Sequence, residues 1–504
     1  MSVGLFLKII TTFLCAFFTW FYFETISSNP FLVLILGSLF IYLYFFLSDC
    51  KNISIKSIRK NLHEKKESGI ELFLNHPAKM IVVYLASLSL IGGLLLNFPF
   101  SQLERVKPID AFFTAVSATC VAGLSPVDIG TKFSYLGQII ILVLIQLGGL
   151  GIMSIASIVI HNVGKISFKS EVILTSDLAD EMGALKRALI YMGRLVFFTE
   201  LIGATILSFL FYLNGVEGAK SIYKGIFTAI SAFCNAGFFL EANSLISYNT
   251  SPLILLIISL LIIIGSISPV ATMLFPKFLM QKKISPQAKI SLTTTISLLI
   301  VGTASLLLLE WNNTLCGLDV LDKISNAWFM SASVRTAGFT SLNISNIKDI
   351  TYIIFLIFMF IGGSPGGIAG GIKTTTFAIL ILTFWSVISN QRNIVVEGRE
   401  IRRDTVYKAI TILIATLIVG FTILLMLLAT QDIPTKLLLF EAVSALATSG
   451  ISLDATSKLD EIGKVIIMFA MFIGKVGPLT LFTILKGRQN FDGSKYPVAK
   501  ITLT

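Results

Sequence analysis

Charge is scarce in this chain. Only 13% of its 504 residues are Asp, Glu, Lys or Arg, against about 25% in a soluble globular protein. Half of the usual water-facing surface is missing, which excludes an ordinary soluble domain. Histidine is rarer still: His63, His76 and His161 complete the set, and all three fall in or beside polar loops. The apolar runs contain no paired carboxylates and no His/Cys metal-ligand spacing. A membrane-embedded enzyme would need such groups, so we expect no catalytic residues and no cofactor held by this chain. Five cysteines (Cys15, Cys50, Cys120, Cys234, Cys316) show no paired spacing, which excludes a disulfide framework. Three of them lie in or beside apolar runs, where Cys acts as a small hydrophobe.

What the chain has instead is apolar length. Residues 253–265 and 291–309 carry no charge, and the second run approaches the roughly 20 residues that span a bilayer. Lipid offers no partner to a backbone amide, so such runs are helices. The first run, about 5–23, lacks a small-residue cleavage signature and is soon followed by another at about 31–48. It reads as a retained helix and not as a signal peptide.

The net charge of +11 is distributed by topology. Segments 51–79, 161–187, 276–289, 389–408 and 486–504 hold 24 basic residues against 11 acidic ones, while the alternate loops are balanced or acidic. This positive-inside pattern puts both termini in the cytoplasm and argues against nucleic acid as a partner.

After the two N-terminal runs one unit recurs four times: a long apolar span, a short semi-polar segment, and a second span. The short segments align without gaps on one glycine. They read FTAVSATCVAG (113–123), FTAISAFCNAG (227–237), WFMSASVRTAG (328–338) and FEAVSALATSG (440–450). An aromatic residue stands ten positions before each glycine, and Ser117, Ser231, Ala332 and Ser444 stand six before. Such a recurrence is an internal repeat. The segments are too short to cross a bilayer and start and end on the non-basic side, so they should be re-entrant. We therefore expect an all-α integral membrane protein of about ten transmembrane helices, with four pseudo-symmetric helix–pore-loop–helix repeats around a central pore. The expected division is two extra helices at 1–50, a cytoplasmic loop at 51–79, repeats at 80–160, 161–275, 276–388 and 389–487, and a cytoplasmic tail at 488–504.

The chemistry fits a cation pore. A dehydrated cation needs oxygens in place of its water, and rings of backbone carbonyls supply them without burying a charged side chain. Aligning successive carbonyls demands backbone geometry that glycine tolerates. The C-terminal dipole of a short helix ahead of each loop favours a cation. The alternative reading of one such segment alone is small-residue helix packing.

Two further features stand out. IGGSPGGIAGGIKTTT (361–376) places six glycines and Pro365 inside an apolar run, which no uninterrupted helix tolerates. It reads as a flexible intramembrane gate, or else as a fixed kink. Lys373 closes it, either opposing cations or anchoring the loop. Lys475 lies deep in the last span, where charge is costly and functional by default; the alternative is an ion pair with Glu200. Arg335 and Glu441 border pore loops as candidate anchors.

These motifs, together with IQLGGLGIMS (145–154), RTAGF (335–339), GGSPGGIAGGIKTTTF (362–377) and MFIGKVGPLTL (471–481), resemble the Trk/Ktr/HKT superfamily of potassium transporters over about residues 70–490. The resemblance implies a potassium selectivity filter of Val121, Ala122, Gly123 and Leu124; Asn235, Ala236, Gly237 and Phe238; Thr336, Ala337, Gly338 and Phe339; and Thr448, Ser449, Gly450 and Ile451. In plant relatives a serine in the first copy accompanies sodium preference, so Gly123 points to potassium. The implied gate comprises Gly362, Gly363, Ser364, Pro365, Gly366, Gly367, Gly370 and Gly371 with Lys373 and Lys475. The resemblance further implies bound K+, a homodimer in a bacterial inner membrane, and cytosolic nucleotide-binding regulatory subunits of the RCK type. The Ktr branch carries arginine where Lys475 stands, and the two extra N-terminal spans resemble the Trk branch.

Overall fold

A computed structural model describes residues 77–163, 181–280, 284–391 and 393–477. The chain divides into Met1–Leu72 and Phe73–Thr504, and everything described belongs to the second unit. The expected spans at 5–23 and 31–48, nearly all of loop 51–79, and the tail 488–504 lie outside the described residues.

The described part is mostly helical. In chain order the helices are α1 (Pro77–Leu96), α2 (Pro108–Cys120), α3 (Ile129–Lys132), α4 (Tyr135–Val163), α5 (Glu181–Leu213), α6 (Gly218–Phe233), α7 (Pro252–Ser266) and α8 (Pro269–Leu279). They continue with α9 (Pro286–Glu310), α10 (Val320–Thr336), α11 (Asp349–Phe360), α12 (Thr374–Ile388), α13 (Arg403–Thr430), α14 (Thr435–Ala447) and α15 (Glu461–Val476). Proline opens α2, α7, α8 and α9, where its missing N–H costs nothing and its fixed φ suits the first turn. Asp460 caps α15 by accepting from Gly463 N at 2.7 Å, which holds its carboxyl below the usual range. One hairpin pairs β1 (Val395–Val396) with β2 (Arg399–Glu400) in antiparallel register. Its turn places Glu397 and Gly398 at positive φ, as a two-residue hairpin turn requires.

Burial is inverted relative to a soluble protein. Helix α13 exposes Ile414, Leu417, Ile418, Phe421 and Leu425, and α5 exposes Phe197, Phe198, Leu201 and Ile202. Meanwhile Thr114, Ser117, Thr228, Ser231, Ser333 and Ser444 are buried. An apolar outside around a hydroxyl-rich inside is the surface of a protein solvated by lipid. By length and composition α9, α13 and the Tyr191–Leu213 stretch of α5 are sufficient to cross a membrane, and α7 with α8 would be a fourth if the bent pair is one span.

Contacts run in a closed circuit. Helix α2 packs on α4, α4 on α6, α6 on α7, α7 on α10, α10 on α11, α11 on α14, α14 on α15, and α15 returns to α2. A buried ion pair seals the return, with Lys464 Nζ 2.6 Å from Asp110 Oδ1. The four short helices α2, α6, α10 and α14 are alternate links of this circuit, which positions their C-terminal ends.

One sequence expectation changes. The apolar run 252–275, expected as one span of the second repeat, is not straight: α7 and α8 meet at 112°. Ser268 caps α8 by accepting from Ala271 N, with Pro269 at its first position, so a helix-start signal lies inside the apolar run. The run 350–381 is two helices, α11 and α12, parted by 361–373, where six glycines and Pro365 point to an interruption.

Candidate functional site: four converging glycines and the loop beneath them

Each inner helix stops two to four residues short of its glycine. In α2 and α14 the stop is made by a β-branched residue in the left-handed region, Val121 at φ 54° and Thr448 at φ 51°; Asn235 at φ 56° follows α6. Non-glycine residues adopt this conformation at a cost of about 1–2 kcal/mol each, and backbone strain of this kind gathers at functional sites. The turn is closed by an amide five residues on: Ala122 N to Ser117 O at 2.8 Å, Ala236 N to Ser231 O at 2.7 Å, and Ser449 N to Ser444 O at 2.9 Å. All four glycines then take positive φ: 82° at Gly123, 71° at Gly237, 80° at Gly338 and 85° at Gly450.

The glycines meet. A Cβ on Gly123 would lie 2.6 Å from Ala236 O, one on Gly237 2.5 Å from Ala337 O, one on Gly338 2.9 Å from Ser449 O, and one on Gly450 2.6 Å from Ala122 O. Each glycine of one segment thus packs on the carbonyl of the next, and the fourth returns to the first. The consequence is a ring of backbone oxygens at the closest approach of the four segments, at the negative ends of four helices. Among the described residues no three His, Cys, Asp or Glu side chains converge as a metal-binding group.

The third segment is built one residue out of register. Helix α10 runs on to Thr336, and Gly338 N reaches Ser333 O at 3.4 Å. Ser333 Oγ donates to Phe339 O, as Ser231 Oγ does to Phe238 O at 2.8 Å. The partner of Ser231 is therefore Ser333, and not Ala332 as the gapless alignment had it. The serine inside SASVRTAG was the available signal.

Residues 361–373 fold directly under this ring. Gly362 N donates to Ile372 O at 2.8 Å and Ile372 N to Phe360 O at 3.1 Å, pairing the two strands of the loop. Gly370 is held against Ala447 O and the Thr448 hydroxyl, so closely that a Cβ would clash. The broken span α7–α8 completes the fit: Ser364 N donates to Ser266 O at 3.0 Å and Ile368 N to Gly265 O at 3.2 Å. The carbonyls freed at the helix break serve the amides freed in the loop, as irregular backbone at membrane depth requires.

Three cations, buried Arg335 and Lys475 and half-buried Lys373, hold the same loop through carbonyls. Arg335 donates to Gly362 O at 3.0 Å, Lys475 Nζ to Ile368 O at 2.8 Å, and Lys373 Nζ to Ala369 O at 2.6 Å. Lys475 does not pair with Glu200. That carboxylate instead accepts from Gln146 Nε2 at 3.0 Å on each oxygen. Glu441 is fully buried and accepts from Ser452 Oγ at 2.7 Å and from Thr456 Oγ1, tying α14 to the segment after its glycine. The Asn235 amide faces α7, its nitrogen 3.1 Å from Ile262 O and its oxygen 3.3 Å from Ser266 N.

Comparison with known proteins agrees with this architecture. The family model "TrkH: Cation transport protein" matches residues 50–488. This chain belongs to the TrkH cation transport family. Similar TrkH-family relatives include the potassium/sodium uptake protein NtpJ of Enterococcus hirae, 34% identical over 85% of this chain and 97% of that one. The Ktr system potassium uptake protein B of Bacillus subtilis is 33% identical over 87% of this chain and 99% of its own length. The crystal structure of the potassium transporter TrkH from Vibrio parahaemolyticus shares the fold, with a TM-score of 0.65 at 20% identity, covering 94% of this chain and 97% of that one.

Proposed function

We propose that this chain takes up potassium ions across a bacterial inner membrane through a pore made by four re-entrant segments. The observation that carries the reading is the ring in which each filter glycine packs on the carbonyl of the next segment. Val121–Leu124, Asn235–Phe238, Thr336–Phe339 and Thr448–Ile451 present backbone oxygens in place of water. Four helix C-termini, each worth about half a negative charge, hold the cation without a buried carboxylate. The flanking helices make up the ten-span, four-repeat architecture, with both termini cytoplasmic on the basic side.

The loop 361–373 is the gate of this reading. It seals the space under the ring, and Arg335, Lys373 and Lys475 hold it by its carbonyls. Glycine at 362 and 370 permits the close approach, because a Cβ at either would collide with backbone or with Thr448. Opening consists of exchanging those carbonyl contacts. We further propose that the chain forms a homodimer and works with cytosolic nucleotide-binding RCK-type subunits; relatives named as lettered proteins of one Ktr system support a system of several components. The potassium/sodium relative supports a second reading, a weakly selective cation transporter of the same fold.

The test is rubidium uptake into vesicles holding the purified chain, with sodium as competitor. Gly123→Ser puts a side chain within 2.6 Å of Ala236 O and should relax discrimination against sodium. Gly215→Ser, also at positive φ but with nothing within 4 Å, carries the backbone strain without the crowding and should leave competition unchanged. Equal sodium competition in native and Gly123→Ser protein rules out the filter reading.

A further inference from the structure

The Glu200 carboxyl is an ionisable group in the membrane without any part in the pore or the loop. Glu200 stands near the middle of the span Tyr191–Leu213. Its helix α5 shows Phe197, Phe198, Leu201 and Ile202 to the outside, so this depth is hydrocarbon. Glu200 itself is partly buried against α4, and both its oxygens accept from Gln146 Nε2 at 3.0 Å. Among the described residues no Lys, Arg or His forms an ion pair with it. An ionised carboxylate whose one contact is a neutral amide is costly at this depth, and binding a proton removes the cost.

The amide leads to the pore. Gln146 Oε1 accepts from Cys234 Sγ at 3.4 Å, and Cys234 directly precedes Asn235 of the second filter segment. Gly149, one turn along α4, lies between Cys234 and Ile368, the loop residue whose carbonyl Lys475 holds. Gln146 and Gly149 both belong to IQLGGLGIMS, a motif otherwise without a task.

The charges around this group are few. Helix α7 carries no ionisable side chain, and the Tyr135–Gly151 part of α4 carries only Tyr135 at its start. On α6 the ionisable groups are Lys220, Tyr223 and Lys224, ten or more residues before Cys234, and Lys224 is paired with Glu241. On α5, Tyr191, Arg194 and Tyr212 are at least six residues from Glu200. Lys475 is held at the carbonyl of Ile368, the loop residue that Gly149 also meets.

We propose that Glu200 is a proton-binding site wired to the second filter segment through Gln146 and Cys234. An ionised Glu200 only accepts, leaving Gln146 Oε1 to the Cys234 thiol. When a proton from water binds, the new O–H donates to Gln146 Oε1 while Nε2 keeps the other oxygen, the paired acid–amide arrangement. Facing both carboxyl oxygens turns the amide and carries Oε1 away from the thiol, beside the strained Asn235. Protonation in the membrane is thereby converted into a change at the filter. The transport consequence rests on the filter reading above; proton binding does not.

The test uses the full chain in vesicles between about pH 5 and about pH 9, a range set by shifted carboxyl groups. Infrared difference spectra should show a carboxyl C=O band that titrates in native protein and is lost in Glu200→Gln. Gln146→Leu removes the hydrogen bonds to the ionised form, so the band should titrate at higher pH. Sodium competition with rubidium uptake should vary with pH in native protein. It should be flat in Glu200→Gln and in Cys234→Ala, the latter keeping the band. No band lost in Glu200→Gln, or a band unmoved in Gln146→Leu, overturns the proton site. A native pH profile in Cys234→Ala overturns the wiring. If the filter reading alone fails, Gly123→Ser leaves sodium competition unchanged while the band still titrates.

Discussion

Lys475 was conspicuous in the sequence because a cation at that depth demands a partner, and the partner turns out to be a carbonyl. Its Nζ donates to Ile368 O at 2.8 Å, in a loop where Gly362 O and Ala369 O are held the same way. Replacing Lys475 with Met keeps length and removes the donor, so Ile368 O is left buried and unpaired at a cost of about 1–3 kcal/mol. That cost falls on the closed arrangement of the loop alone. Lys475→Met should therefore raise rubidium uptake in vesicles that contain no regulatory subunit, and Lys475→Arg, which keeps a donor, should not. Uptake in Lys475→Met at or below the native level contradicts the anchoring role. The correct partner was not legible because a backbone carbonyl 107 residues away leaves no mark in side-chain identity, whereas Glu200 did.

At the scale of elements, what could be read was what repeats. Four segments ending in glycine were visible because the same physical demand, positive φ at a crowded point, is met four times by the same residue type. What stayed hidden were departures from the repeat. Helix α10 ends one residue late, so the serine that bonds across the turn is Ser333, one position past the aligned Ala332, and a gapless alignment cannot show a change of helix length. The break between α7 and α8 was masked by hydropathy, although Ser268 and Pro269 are a helix start. That break matters for the loop 361–373, since Ser266 O and Gly265 O accept from Ser364 N and Ile368 N. The loop is thus hydrogen-bonded in place and not a slack tether. Deleting 366–370 removes the Ile368 carbonyl that Lys475 holds and the Gly370 contact with Thr448, so ungated potassium flux should rise. Low flux in a deletion variant that reaches the vesicles intact contradicts the gate.

For the described residues as a whole, the circuit of contacts has a seam between elements far apart in sequence, where α15 closes on α2. Two buried charges mark it, Lys464 and Asp110, each about 9% exposed. Burial makes the pair expensive to break from one side, because the survivor is left charged and unpaired, at about 3–5 kcal/mol. By contrast Lys132 and Glu104 pair at the surface, 39% and 63% exposed, where such pairs contribute at most about 1 kcal/mol. Asp110→Asn should therefore lower the thermal unfolding midpoint in detergent distinctly, while Glu104→Gln barely moves it. The seam also fixes how the first glycine segment meets the fourth, since Gly450 packs on Ala122 O at the end of the same α2. An Asp110→Lys, Lys464→Asp exchange restores opposite charges and should recover part of both the unfolding midpoint and the sodium discrimination that Asp110→Asn loses. Recovery of neither would mean that the ring is held shut by the packing of α2 on α15 alone.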